Sequence, residues 1–127
     1  MSLRVINLGR LAYQPALVIQ QQLFDRLKAK AQSNGDDQPA AAVNNYLLLV
    51  EHEPVYTVGI RSKQYNDDVD MQRRLRNLGA DFVVTNRGGL ITFHGPGQLV
   101  AYPILNLTHF PATKRSIKTF VCLLESA

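Results

Sequence analysis

Apolar residues fall along this chain in short runs, some continuous and some spaced at three- and four-residue intervals, with glycine and proline between them. Residues 3–8 are few, rich in β-branched side chains and closed by Gly9, which predicts a strand. Pro15 follows where a helix can start without losing a needed N–H. Ala16, Ile19, Leu23 and Leu27 then recur at near-helical spacing, predicting a helix from about Pro15 to Ala31 that ends before Gly35. Residues 33–45 are polar, then alanine-rich with Pro39, and read as a surface loop. Residues 46–50, Tyr-Leu-Leu-Leu-Val, are continuously apolar over a strand's length and predict a central strand covered on both faces.

The second half repeats these two patterns. Residues 55–58 predict a strand up to Gly59. Asp67, Asp68 and Asp70 supply cap and first-turn acids to a helix in which Met71, Leu75 and Leu78 keep helical spacing and Gly79 is the residue just past the end. Residues 82–84 and 99–105 predict two more strands, and 106–111 a loop. Ile117, Phe120, Val121 and Leu124 mark an amphipathic helix beginning near Lys114 to Ser116, and that helix is still in stride at Ala127, which reads as a chain cut short. Strands interleaved with helices make the expected class α/β, within a single domain over 1–127.

Composition adds limits. With 127 residues and 46% hydrophobic content the chain can build a real core, and no apolar run approaches the roughly 20 residues of a membrane span. One cysteine, Cys122, excludes an internal disulfide framework and a cysteine-rich metal site, and its apolar helical surroundings read as those of a buried small hydrophobe. His52, His94 and His109 have no ligand-like spacing, so neither a metal nor another cofactor is expected. The net charge of +4 comes from dispersed basic residues without interleaved aromatics, which argues against nucleic acid. Arg73, Arg74 and Arg76 read as the solvated face of a helix or, with Arg61 and Lys63, as a docking patch for an acidic carrier protein. The first 24 residues hold Arg4 and Arg10 and no acid, as a mitochondrial presequence does, although the first strand overlaps them.

The candidate chemistry is concentrated in Arg87-Gly88-Gly89-Leu90-Ile91-Thr92-Phe93-His94-Gly95-Pro96-Gly97-Gln98, between two strand-forming runs. Gly88 and Gly89 can take positive φ and bring backbone N–H and C=O groups against an acyl chain or an anion. The Gly-Pro-Gly turn would hold His94 and Gln98 in defined directions. A bare turn needs none of the Arg, Thr, His and Gln interleaved with these glycines. His52, between Glu51 and Glu53, would have a raised pKa if both carboxylates lay close to it.

The run RGGLITFHGPGQLVAYPILNL resembles the signature of the lipoyl(octanoyl) transferases, RGG, four residues, then HGPGQ. Leu8-Gly9 followed by Tyr13 and a glutamine-containing helix, and residues 51–59, EHEPVYTVG, are similar to two further segments of that family, in the family's order. The resemblance implies a mixed sheet with packed helices, like the catalytic domain of biotin and lipoate protein ligases, incomplete here at its C-terminus. It implies octanoyl transfer from acyl carrier protein to a lysine of a lipoyl domain through a thioester on an enzyme cysteine. The acceptors would be lipoyl domains of 2-oxoacid dehydrogenase complexes and the glycine cleavage H protein, in mitochondria, or in the cytoplasm of a bacterium.

By the same resemblance Arg87, Gly88 and Gly89 would lie along the acyl group with Leu90, Ile91 and Phe93 beside them. Thr92 and His94 would position the reacting carbonyl, and Tyr13 and His52 would close the pocket. The family's lysine and its Pro-Cys-Gly cysteine have no counterpart here, so no catalytic residue is assigned; a truncated copy would leave sheet edges and apolar helix faces uncovered, so marginal stability or aggregation is expected of the chain alone. Two other readings stand beside this one: a non-catalytic binding protein for acyl carrier or lipoyl domains, and a lipoate or biotin ligase. The ligases' motif continues with an acid where this chain has HGPGQ, which favours the transferase.

Overall fold

The computed structural model describes residues 2–33, 44–65 and 68–127. Among these described residues, six strands and three α-helices follow in the order β1 (Ser2–Leu11), α1 (Tyr13–Ser33), β2 (Asn44–His52), β3 (Val55–Val58), α2 (Val69–Asn77), β4 (Asp81–Val84), β5 (Thr92–His94), β6 (Leu99–Ile104) and α3 (Ile117–Glu125). Short 3-10 turns occupy Ile60–Tyr65, Leu107–His109 and Pro111–Thr113. The expected α/β class is observed, with the strands divided between two three-stranded sheets, ordered β1-β2-β6 and β4-β3-β5. The second sheet is mixed: β3 runs parallel to β4, with Tyr56 opposite Phe82, and antiparallel to β5, with Thr57 opposite Thr92 and Val55 opposite His94.

The chain divides into two compact units, one of residues 1–6, 19–48 and 101–127, the other of 7–18 and 49–100. In the first, Leu23, Leu27, Tyr46, Leu48 and Ile104 are buried. Each such side chain removed from water contributes roughly 1.5–3 kcal/mol. Asn45 is fully buried there, and its side-chain oxygen accepts from the Asn106 N–H at 2.8 Å, which satisfies a polar group that burial would otherwise penalise. In the second unit the core is Ala16, Val50, Val55, Val58, Ala80 and Phe82 around β3.

Several boundaries differ from the pattern's. β1 runs on past Gly9, which takes φ +64° while its N–H is held by the Asn7 side chain at 2.9 Å, so the glycine bends the strand and does not stop it. α1 starts at Tyr13, with Pro15 inside its first turn. Of the loop expected over 33–45, Ser33 belongs to α1 and Asn44 and Asn45 to β2, while residues 34–43, with Gly35, and Asp67 lie outside the described residues. Asp68 is the N-cap of α2, accepting from the Met71 N–H at 2.9 Å, and Gly79 follows the helix at φ +81°. The last helix begins at Ile117 with Ser116 as cap, because Lys114 and Arg115 adopt left-handed backbone at φ 50° and 57° and cannot be helical. Cys122 is exposed, contrary to the expectation from its apolar neighbours. No residue of α3 is fully buried; the helix packs on the Pro111–Thr113 turn with Phe120 half-buried, and most of the apolar face that its spacing suggested stays exposed.

Candidate functional site

The site residues predicted from sequence all fall in the second unit, on the segments that flank β3. Three of them meet as a ring cluster. The Tyr13 and His52 rings lie 5.3 Å apart, and those of His52 and His94 5.8 Å apart, each pair inclined at 48°. Tyr13 is delivered by the first turn of α1, His52 by the last residue of β2 and His94 by the last residue of β5. His52 is fully buried, and its Nδ1 donates to the Leu11 carbonyl at 3.2 Å.

The condition for a raised His52 pKa, both glutamates close by, is not met here. The His52 pKa is lowered, first by burial and then by the nearby charge of His94, with the Leu11 hydrogen bond opposing. The neighbouring glutamates do not raise it: Glu53 pairs with Arg10 at 2.7 Å instead. The imidazole is therefore held neutral, with Nδ1 as the protonated nitrogen. Burial also raises the Tyr13 phenol pKa, opposed by the charge of Arg87. His94 Nδ1 donates to the Gln98 side-chain oxygen at 2.5 Å, and the Gln98 N–H closes on the Gly95 carbonyl at 3.1 Å. Gly-Pro-Gly thus folds Gln98 back onto His94, as its turn chemistry suggested.

Beside this cluster the 87–91 loop is fastened to β3 and to the 3-10 turn after it. The Arg87 guanidinium donates to the Thr57 hydroxyl from Nε (3.1 Å) and Nη2 (2.7 Å), to the Thr57 carbonyl (2.7 Å), and to the carbonyls of Gly88 (3.0 Å) and Leu90 (2.9 Å). Ile60 N–H reaches the Arg87 carbonyl at 3.0 Å and Arg61 N–H the Gly89 carbonyl at 3.2 Å. Ser62, fully buried, accepts from the Ile91 N–H at 3.0 Å. Gly89 takes φ +99°, one of the positive angles foreseen, whereas Gly88 does not.

Thr92 and His94 share one face of β5, since alternate strand residues do. Phe93, on the opposite face, packs on Tyr56 with centroids 5.0 Å apart. Leu90 is exposed and Ile91 half-buried. Arg61, Arg73, Arg74 and Arg76 are exposed, as a solvated or docking face requires. Among the described residues no group of three or more His, Cys, Asp or Glu could hold a metal.

Sequence reasoning passed over Thr57 and Ser62, and saw Gly59 only as a strand end. A threonine in the apolar Val-Tyr-Thr-Val run, followed two residues later by glycine, was the available signal. A Cβ on Gly59 would meet the Gly89 oxygen at 2.5 Å, so the loop can lie this close only over a glycine.

The fold and this geometry define an α/β domain whose candidate site is a glycine-rich loop fastened to a central strand beside a Tyr-His-His cluster in which Tyr13 and His52 are buried. The chain belongs to the family of the lipoyl protein ligase A/B catalytic domain, whose model matches residues 12–127. Among similar curated proteins, a mitochondrial octanoyl-(acyl-carrier-protein):protein N-octanoyltransferase of Danio rerio is 50% identical over 124 residues, covering 98% of this chain and 49% of the relative. One of the same name from Xenopus tropicalis is 50% identical over 98% of this chain and 47% of its own length. An octanoyltransferase of Alkaliphilus metalliredigens is 38% identical over 98% of this chain and 50% of its own. The chain thus spans about half the length of the curated relatives it matches.

Proposed function

We propose that this chain binds the acyl group in octanoyl transfer from acyl carrier protein to a lysine of an acceptor protein. The observation that carries this reading is the fastened 87–91 loop beside the Tyr13-His52-His94 cluster. It offers a backbone edge to an extended chain and, at the end of β5, a histidine of fixed orientation where a carbonyl would react. The names of the similar proteins support the same substrate class.

Overall, the lysine nitrogen would bond to the octanoyl carbonyl carbon, the carbon–sulfur bond to the carrier would break, and the amine proton would pass to the leaving thiolate. A thioester is already activated, so the exchange needs no further co-reactant. Gly88, Gly89, Leu90 and Ile91 would follow the acyl chain, with Phe93 supporting the loop through Tyr56. Thr92 and His94 would stand at the reacting carbonyl, while Tyr13 and His52 would close the cavity. Arg87 would act chiefly by holding the loop in shape.

Lipoyl domains of 2-oxoacid dehydrogenases and the glycine cleavage H protein are the acceptors we favour, and mitochondria the compartment, given the names of the Danio and Xenopus relatives. The basic face of Arg61, Arg73, Arg74 and Arg76 would suit an acidic carrier. Cys122 is not assigned as the acyl-accepting thiol, because it stands in an apolar helix with neither proline nor glycine beside it.

Intact mass after incubation with octanoyl acyl carrier protein tests the proposal, with carrier binding measured in parallel. Saturable binding that requires the octanoyl group is expected, without a hydroxylamine-labile adduct on Cys122. Failure to distinguish octanoyl carrier from unacylated carrier would overturn the acyl-site reading. An adduct on Cys122 would overturn its exclusion.

A further inference from the structure

We infer that Thr57 is a positioning residue for the acyl site, its one buried hydroxyl tying together the two ends of the 87–92 loop. The inference rests on the acyl-site reading of that loop. Thr57 is fully buried on β3, where an apolar side chain would be the ordinary occupant. Its Oγ1 accepts from Arg87 Nε at 3.1 Å and Nη2 at 2.7 Å, at the start of the loop. The same hydroxyl donates to the Thr92 carbonyl at 3.4 Å, at the loop's end. A hydroxyl has one proton and two lone pairs, and all three are used here.

The tie has a consequence for the whole segment. With Arg87 anchored at Thr57, its Nη1 reaches the Gly88 carbonyl and its Nη2, shared with Thr57, the Leu90 carbonyl, so the guanidinium folds the loop around itself. The Ser62 hydroxyl then takes the Ile91 N–H, and the Arg87 and Gly89 carbonyls receive the N–H groups of Ile60 and Arg61. Valine has nearly the same shape as threonine and would fill the same space, yet would remove all three hydrogen bonds of the tie.

Thr57→Val and Thr57→Ser in the full chain separate this role from packing, using amide hydrogen exchange and titration with sodium octanoate. For Thr57→Val, exchange should accelerate at Ile60, Arg61 and Ile91, whose N–H groups close the loop. Asp81 and Thr85, whose N–H groups bond the Pro54 and Val58 carbonyls elsewhere on the same sheet, should keep wild-type rates. Octanoate affinity should fall about tenfold, as expected for a buried donor left without its acceptor. Thr57→Ser, which keeps the hydroxyl and loses the methyl, should restore both properties.

Unchanged exchange at Ile60, Arg61 and Ile91 in the valine variant would overturn the inference. So would a serine variant as loose as the valine one, because packing would then be the cause. If Thr57→Val fails to fold, the serine variant decides alone: wild-type rates at those three amides support the tie, and accelerated rates refute it. Should the wild-type chain bind no octanoate, the acyl-site reading falls, while the exchange pattern still decides whether Thr57 holds the loop.

Discussion

The Gly89 carbonyl oxygen stands 2.5 Å from where a Cβ on Gly59 would be, so the residue just past β3 and the glycine loop meet backbone to backbone. Relief would require moving the loop itself, because the opposing atom is main chain. We expect Gly59→Ala to cost about 1–3 kcal/mol, the range for forcing an extra methyl into a packed site. Thermal melts of the two forms measure it, and octanoate binding should weaken along with stability.

Arg87→Lys keeps the charge and removes the fork. One ammonium cannot reach the Thr57 hydroxyl and carbonyl together with the carbonyls of Gly88 and Leu90, which the guanidinium joins. A loss of about 3 kcal/mol is expected, two hydrogen bonds to a charged donor at the lower end of their range, and urea unfolding would report it. A lysine variant as stable as wild type would show that charge alone suffices.

Stability should fall as the solution is acidified through the histidine range. The folded chain holds the His52 pKa below its ordinary value of 6.5, so below pH about 6.5 the unfolded chain binds more protons at this position than the folded one. The loss therefore begins as pH drops past the unfolded value and continues down to the depressed folded one; above pH about 7 this group contributes no slope. Melting temperatures at pH 7.5 and pH 5.0, compared between wild type and His52→Asn, test the sign. A wild-type slope no steeper than the variant's would refute it.

Asp68 caps α2 through the Met71 N–H. Asp68→Ala should cost about 1 kcal/mol, and Asp68→Asn much less, since asparagine caps nearly as well. The difference between their melting temperatures isolates the cap from the loss of a charge.

Cys122 is exposed on α3. It should react with a thiol reagent in the native state at the rate of a small exposed thiol, and Cys122→Ser should change stability by less than about 0.5 kcal/mol. Protection of the native thiol would mean that the face of α3 is covered in solution.

Much of this arrangement was legible because its causes are local. An aspartate before a helix, a glycine after it and a Gly-Pro-Gly turn each act within a few residues, and Asp68, Gly79 and Gln98 stand as those rules require. The β3 strand was bounded correctly by its own apolar run and Gly59. What escaped depends on partners distant in sequence. Nothing near Glu53 indicates that Arg10 will claim it, and so sequence alone could state the basicity of His52 only as a condition on where its glutamates lie. Thr57 looks like an ordinary strand residue until Arg87, thirty positions on, arrives at its hydroxyl. The three residues of β5 exist as a strand only because β3 is there to pair with them, and the left-handed backbone of Lys114 and Arg115 has no glycine to announce it.

The inward bonding of the glycine loop also determines what the loop can recognise. The carbonyls of Arg87, Gly88, Gly89 and Leu90 each already accept a hydrogen bond from within the chain, while the N–H groups of Gly88, Gly89 and Leu90 have no partner among the described residues. Along this stretch the backbone is a row of donors. An electron-rich oxygen could satisfy these donors, whereas an alkylammonium group would find the carbonyls along the same stretch already engaged.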